Sequence, residues 1–328
     1  MLEVLKPGPL ATVQDLGRLG YAELGVSRSG ALDPAALRLA NRLVGNSETC
    51  AGIEVTYGGA VLRAQASVWC ALTGAPGPVS VDGRPVPYGV AFGLPAGSRV
   101  EIGPPRHGIR SYLAVSGGIA VPPVLGSRST DTLSGIGPEP LRVGQVLPVG
   151  QAGIGDAQAP PGWPSHRAAG TARQGTTAFV GPAGSGRQGP AVQGGGGGSG
   201  GGPLGVDFVP VSAPAEEIRL RVRFGPRDDW FADPGELLRT AYTVDQGDRI
   251  GVRLDGPPLT RSVAGELPSE GLLAGAIQVP GDGRPLVFLA DHPTTGGYPV
   301  VGVVHPADLG LLAQARPGTT VFLYGSQR

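Results

Sequence analysis

Residues 290–299 read ADHPTTGGYP and lie between the apolar runs VFL and VVGVV. A carboxylate (Asp291), an imidazole (His292), two hydroxyls (Thr294, Thr295), two glycines (Gly296, Gly297) and a phenol (Tyr298) fall within eight residues. A simple hairpin needs only about two to five turn residues. Asp291 and His292 are the types that move protons when their surroundings tune them toward neutrality. Paired glycines permit positive φ and close approach of a ligand, so that consecutive N–H groups form an anion nest. The threonine hydroxyls can donate to the same anion. This stretch is therefore expected to bind an anionic group and act on it.

Other stretches carry more polar groups than turns require. QDLGRLGY and GVSRSGALD supply Asp15, Arg18, Ser27, Ser29 and Asp33, and LGSRSTDT gathers hydroxyls and Asp131 around Arg128. DRIGVRLDG supplies Arg249 and Arg253, and LPSEGLLAGAIQVP supplies Glu270 and Gln278. Arg18 and Arg249 fit either an anion site or ion pairs that lock the fold. A Ser/Thr/Asp-rich turn can equally satisfy its own backbone. Glu270 stands before an apolar run, where a carboxylate marks the mouth of a buried strand. His107, His166 and His305 have no ligand spacing with each other or with the cysteines, so no metal site is expected.

Composition excludes several classes. Acidic and basic residues balance at 26 each, which gives no field for nucleic acid or anionic membrane. No run reaches the roughly 20 apolar residues of a membrane span. Cys50 and Cys70 form no C-x-x-C pair, and free thiols suit a reducing cytoplasm. Lys6 is the only lysine in the chain. A P-loop, a biotin attachment site or a Schiff-base site each needs a lysine in a defined setting, and Lys6, next to a proline, suits none. A dinucleotide-binding G-x-G-x-x-G fails for want of a βαβ context.

The elements that position these groups read as short strands. Gly (58) and Pro (34) punctuate runs such as RLRVRF, AIQV, LVFLA and TVFLYG, the pattern of many strands and turns. Residues 31–46 and 305–315 are the candidate helices, the first starting at Asp33 with Pro34 in the first turn. Residues 151–215 change character and include GGGGGSGGGP at 194–203, expected to be a flexible linker. That leaves an N-terminal domain at 1–150 and a C-terminal domain at 216–328. The two echo each other: TVQDLGRLG (12–20) against TVDQGDRIG (243–251), and AGIEVT (51–56) against GAIQVP (275–280). A duplicated all-β unit, with a cleft between copies, is the expectation.

The combination of QDLGRLGY, GVSRSGALD, LGSRSTDT, GPRDDWF, DRIGVRLDG, SEG, GAIQVP, TTGGYP and RPG resembles the KipA-like family. That family is also described as allophanate hydrolase subunit 2 or the biotin-dependent carboxyltransferase family, and includes the C subunit of ATP-dependent 5-oxoprolinase. The resemblance implies a mainly β chain with two cyclophilin-like β-barrel domains and a few short helices. It also implies two partners, a KipI-like B subunit plus a large A subunit. The activity it implies is a hydrolase that opens 5-oxoproline to glutamate with ATP as co-substrate. By the same analogy, Arg18, Arg249 and Arg253 bind anions and Thr294 to Gly297 form a cradle. Asp291 or Glu270 is then the base, and Tyr298 closes one wall. His292 and Gln278 complete the candidate set. The alternatives are a carboxyltransferase component, with biotin on a separate carrier, and a non-enzymatic regulator that binds a KipI-like protein.

Overall fold

The computed structural model describes residues 1–151, 216–265 and 267–325. The expected linker from residue 152 onward, with its glycine run, lies outside them. Strands dominate, joined by a few short helices. In the first half they form two sheets. One has six strands in the order Val146–Leu147, Leu2–Pro7, Ala60–Ala64, Arg99–Ile102, Val79–Val81, Arg84–Pro85. The other has five, in the order Leu10–Gln14, Gly52–Thr56, Arg110–Val115, Val68–Gly74, Phe92–Leu94. Leu2, Val4, Leu62 and Val100 from one sheet and Val13, Ile53, Leu72 and Leu113 from the other share a single core. The central strand Arg110–Val115 is buried along its whole length, the polar Arg110 and Ser111 included, so it shows no period-two alternation of burial.

The second half closes into a seven-stranded barrel. Its order is Glu217–Phe224, Val300–Val304, Ala276–Gln278, Leu286–Phe288, Gly251–Asp255, Ala241–Gly247, Thr320–Tyr324. The last strand returns to pair in parallel with the first, Glu217 opposite Thr320, and the barrel has no free edge. Period-two alternation is plainest in EIRLRVRF, where Ile218, Leu220 and Val222 point inward and Glu217, Arg219, Arg221 and Arg223 face out. The strands flanking ADHPTTGGYP do not pair with each other. Ala276–Gln278 lies between them and pairs with both, so the stretch is a crossover over one end of the barrel rather than a hairpin.

The helix expected at 31–46 spans Pro34–Leu43, and the Asp33 carboxylate caps it by accepting from Ala36 N–H at 3.1 Å. The one expected at 305–315 is a 3₁₀ turn, Pro306–Asp308, running into a helix Leu309–Gln314. That helix staples the halves together. Gln314 accepts from Ile109 and Arg110 N–H, both at 2.9 Å, and donates to the Arg110 carbonyl and Asp33. Arg316 donates to the carbonyls of Gly108 and Pro105.

Candidate functional site

Two groups of polar side chains stand out, and they differ in kind. The first is buried at the seam. Arg249 lies in the turn between Ala241–Gly247 and Gly251–Asp255. Its Nε and Nη2 fork onto the Asp291 carboxylate at 2.8 and 3.0 Å, Nη1 reaches Glu54 of the first half at 2.6 Å, and Nη2 also donates to the Gly30 carbonyl at 2.7 Å. Asp291 accepts further from the Ser29 hydroxyl at 2.6 Å and from the Thr132 N–H and hydroxyl at 2.9 and 2.8 Å. Glu54 takes the Leu32 N–H at 3.1 Å and the Tyr112 hydroxyl at 2.8 Å, and Arg110 Nε lies 3.8 Å away.

All three ionic side chains are buried, and the electrostatics follow from that. Burial alone would lower the Arg249 pKa, but Glu54 and Asp291 outweigh it and push it up. Burial alone would raise Glu54, but the charges of Arg249 and Arg110 and the Leu32 N–H hold it below the usual carboxylate range. Burial, reinforced by Glu54, drives the Tyr112 phenol well upward, so it stays a donor. Arg249 and Glu54 are ionised and committed to each other. Asp291 accepts five hydrogen bonds, which leaves it placed as an anchor for the crossover rather than as a base open to water. A cavity of about 490 Å³ opens beside this network, lined by Tyr57, Ile109, Arg110, Thr132, Arg249 and Ile250 among others.

The second group sits at the barrel end under the crossover. Glu270 pairs with Gly296 in a two-stranded ladder. Arg227 grips the Glu270 carboxylate, Nε lying 3.0 and 3.1 Å from its two oxygens, and this hydrogen bonding holds the carboxyl below its usual range. Gln278, buried at the end of its strand, donates to the Tyr298 carbonyl at 2.9 Å. The exposed Tyr298 ring carries the Arg261 guanidinium 5.7 Å from its centroid. His292 Nδ1 is 2.7 Å from the Pro293 carbonyl. A carbonyl only accepts, so Nδ1 carries the proton. Arg253 is apart from both groups, paired with Asp282 at 2.9 Å.

The crossover glycines work differently from the expectation. Neither Gly296 nor Gly297 has positive φ, so no anion nest of alternating handedness forms there. Gly296 is small because its own barrel is close: a Cβ would lie 2.6 Å from Gln278 Nε2 and 2.8 Å from Leu272 Cδ1. At Gly297 the nearest atom would be the Leu267 carbonyl at 3.3 Å. Among the described residues no group of three or more His, Cys, Asp or Glu side chains is placed to hold a metal ion, and no helix is long and apolar enough to cross a membrane.

The sequence profile of the carboxyltransferase domain, subdomains A and B, matches residues 24–194 and 197–324. The chain belongs to the carboxyltransferase family. It is 36% identical to the C subunit of 5-oxoprolinase from Escherichia coli (strain K12), over 98% of this chain and 90% of that protein. It is 31% identical to the urea amidolyase of Lachancea kluyveri, over 97% of this chain but only 16% of that one. The crystal structure of TTHA0988 superposes with a TM-score of 0.74 at 35% identity, covering 98% of this chain, which spans 55% of that longer one. The crystal structure of the Kluyveromyces lactis urea amidolyase gives a TM-score of 0.78 at 25% identity, over 99% of this chain and 19% of that one.

Within this carboxyltransferase chain, most of the anticipated residues fall into two sets, with Arg253 on Asp282 and the buried Arg18 on the Ser129 carbonyl apart from both. Glu270, Gln278, Thr294, Thr295, Gly296, Gly297 and Tyr298 come together at the barrel end, while Asp291 and Arg249 turn inward to the seam. Sequence reading overlooked Glu54, Arg110, Arg227 and Arg261. The signal for Glu54 was present in the internal echo, which sets AGIEVT against GAIQVP and so Glu54 against Gln278. Both are polar side chains buried in apolar strands, and a buried polar group must have a partner.

Proposed function

We propose that this chain is one component of an ATP-dependent 5-oxoprolinase, a hydrolase of a cyclic amide that is active only in a complex with a KipI-like B subunit plus a large A subunit. The observation that carries the reading is the near-full-length similarity to the C subunit of 5-oxoprolinase, 36% identity over 98% of this chain. In the reaction, ATP phosphorylates the lactam oxygen and leaves as ADP; water then adds to the activated carbon, and loss of inorganic phosphate with cleavage of the C–N bond gives glutamate. Such a site needs fixed cations for the anionic groups and a carboxylate to orient water.

The barrel end offers these parts. Glu270 is ionised at neutral pH and partly exposed, with Arg227 fixing its orientation. Arg261 and Tyr298 form one wall, and the Thr294–Gly297 backbone the rim beside Gln278. In this reading Glu270, rather than Asp291, meets the water, and Arg249 with Asp291 sets the crossover in place. Arg253 and His292 are peripheral. The test is co-purification with the two partners and measurement of 5-oxoproline-dependent ATP hydrolysis. Glu270→Gln keeps the shape and removes the charge, and its turnover should fall by about 10²–10⁴-fold at an unchanged melting temperature. Turnover by the isolated chain, or full turnover by Glu270→Gln in the complex, would refute this assignment.

A second reading, carboxyl transfer to a urea-like acceptor, is favoured by the urea amidolyase relatives. Lys6, the only lysine, lies in the strand Leu2–Pro7, so the biotin would be on a separate carrier. Acceptor-dependent decarboxylation of a carboxybiotinyl carrier, with no response to 5-oxoproline, would select this alternative.

A further inference from the structure

Among the described residues, Arg18 is the one deeply buried arginine whose surroundings do not account for its charge. It is only 2% exposed. Nη2 donates to the Ser129 carbonyl, but Nε and Nη1 are buried with no partner. The other two deeply buried arginines, Arg249 and Arg110, each face Glu54. No ion pair among the described residues joins Arg18 to an acid. The two carboxylates of the same loops are already saturated. Asp15 accepts from the Ser127 and Ser129 hydroxyls and from Gly17 and Arg128 N–H. Asp131 accepts from the Ser27 and Ser134 hydroxyls and from Leu133 and Ser134 N–H. These bonds outweigh burial and hold both carboxyls below their usual range.

Backbone packs closely against the Nη2 edge of the guanidinium. Gly137, at φ 95°, stands where a Cβ would lie 3.0 Å from Arg18 Nη2 and would collide with the Ser129 carbonyl. A buried cation without a counter-charge is among the costliest arrangements in a protein interior. Fixed N–H groups that meet nothing are what an acceptor oxygen would satisfy.

We propose that Arg18 is the cation of an occluded anion site between the loops 15–18 and 129–137, which takes one small oxyanion of the carboxylate or phosphate class. The ion completes the hydrogen bonding of Nε and Nη1 and neutralises the guanidinium. It enters when the loop that carries Arg18 opens, since those nitrogens are closed to solvent in the resting fold. The proposal does not rest on the 5-oxoprolinase reading.

The test is thermal melting of the full chain at constant ionic strength in sodium chloride, sodium acetate or sodium phosphate. The wild type should show a saturable rise in acetate or phosphate, about 5–10 °C at a hundredfold excess over Kd. The anion that gives the rise identifies the class. Arg18→Met keeps the unbranched apolar stem and removes the charge. It should lose the anion response and melt no lower than wild type in chloride, because an uncompensated buried charge has gone. Arg18→Lys, which keeps the charge but loses the fork, should retain a weakened response. If Arg18 is only a clamp on the Ser129 turn, the wild type will show no selective rise and Arg18→Met will melt lower in every salt. That pattern, or a selective rise that survives in both variants, overturns the proposal.

Discussion

Arg249→Met removes the centre of the seam while keeping much of the side chain's bulk. It leaves Glu54 and Asp291 buried without the guanidinium that each contacts at 2.6 and 2.8 Å. Breaking a buried ion pair by deleting one partner costs about 3–5 kcal/mol, since the remaining charge stays desolvated. Two carboxylates are stranded here, though Ser29, Thr132, Leu32, Tyr112 and Arg110 still donate to or face them. The upper part of that range is therefore expected. At about 2–4 °C per kcal/mol for a chain of this size, the melting temperature should fall by roughly 8–20 °C.

The pH dependence makes the prediction sharper. Glu54 in the intact fold is held below its usual range. Its contribution is therefore complete above the unfolded value, about 4.3, and is lost as pH falls through the folded one. In Arg249→Met burial is opposed only by Arg110 and the remaining Leu32 and Tyr112 donors, so the Glu54 carboxyl moves upward and takes its proton at higher pH. The deficit against wild type should be largest near neutrality and shrink below about pH 5. Urea denaturation and thermal melts across pH measure both effects. A variant within about 1 °C of wild type at neutral pH would refute the claim that this network holds the halves together, and a deficit that grows on acidification would refute its electrostatic cause.

Two other perturbations follow from local geometry. Gly296→Ala should cost about 1–3 kcal/mol, because the new methyl meets Gln278 and Leu272 inside 3 Å, whereas Gly297→Ala meets only the Leu267 carbonyl at 3.3 Å and should melt close to wild type. Equal melting of the pair would show that the crossover shifts freely. Cys70 is buried and burial pushes its thiol up to about 12, so a disulfide reagent at mildly alkaline pH should modify the half-exposed Cys50 and reach Cys70 only on unfolding.

Much of the strand framework was legible because it is written locally. EIRLRVRF alternates, LVFLA and TVFLYG are apolar runs bounded by turn residues, and Asp33-Pro34 announces a helix start. The crossover was not legible. VFL and VVGVV look like the arms of a hairpin, but the strand that separates them, Ala276–Gln278, comes from earlier in the chain. Spatial order in a barrel is set by which apolar faces close over one core, and short-range spacing carries little of that information.

The same locality explains the division within ADHPTTGGYP. Residue types alone made Asp291 look reactive, because an acid beside a histidine and two hydroxyls has the chemistry of a proton-transfer site. Its partners lie 42 positions away in Arg249, 159 in Thr132 and 262 in Ser29, and no window of sequence brings them together. Once they are assembled, Asp291 holds the crossover to the seam. Glu270, which drew less attention before a glycine, is left partly exposed beside Gly296 with a single arginine partner. A carboxylate's type says what it can do, whereas the count of donors already around it decides whether any of that capacity is left for a substrate. By that measure Asp291, with five hydrogen bonds accepted, is the anchor and Glu270 is the group with room to react.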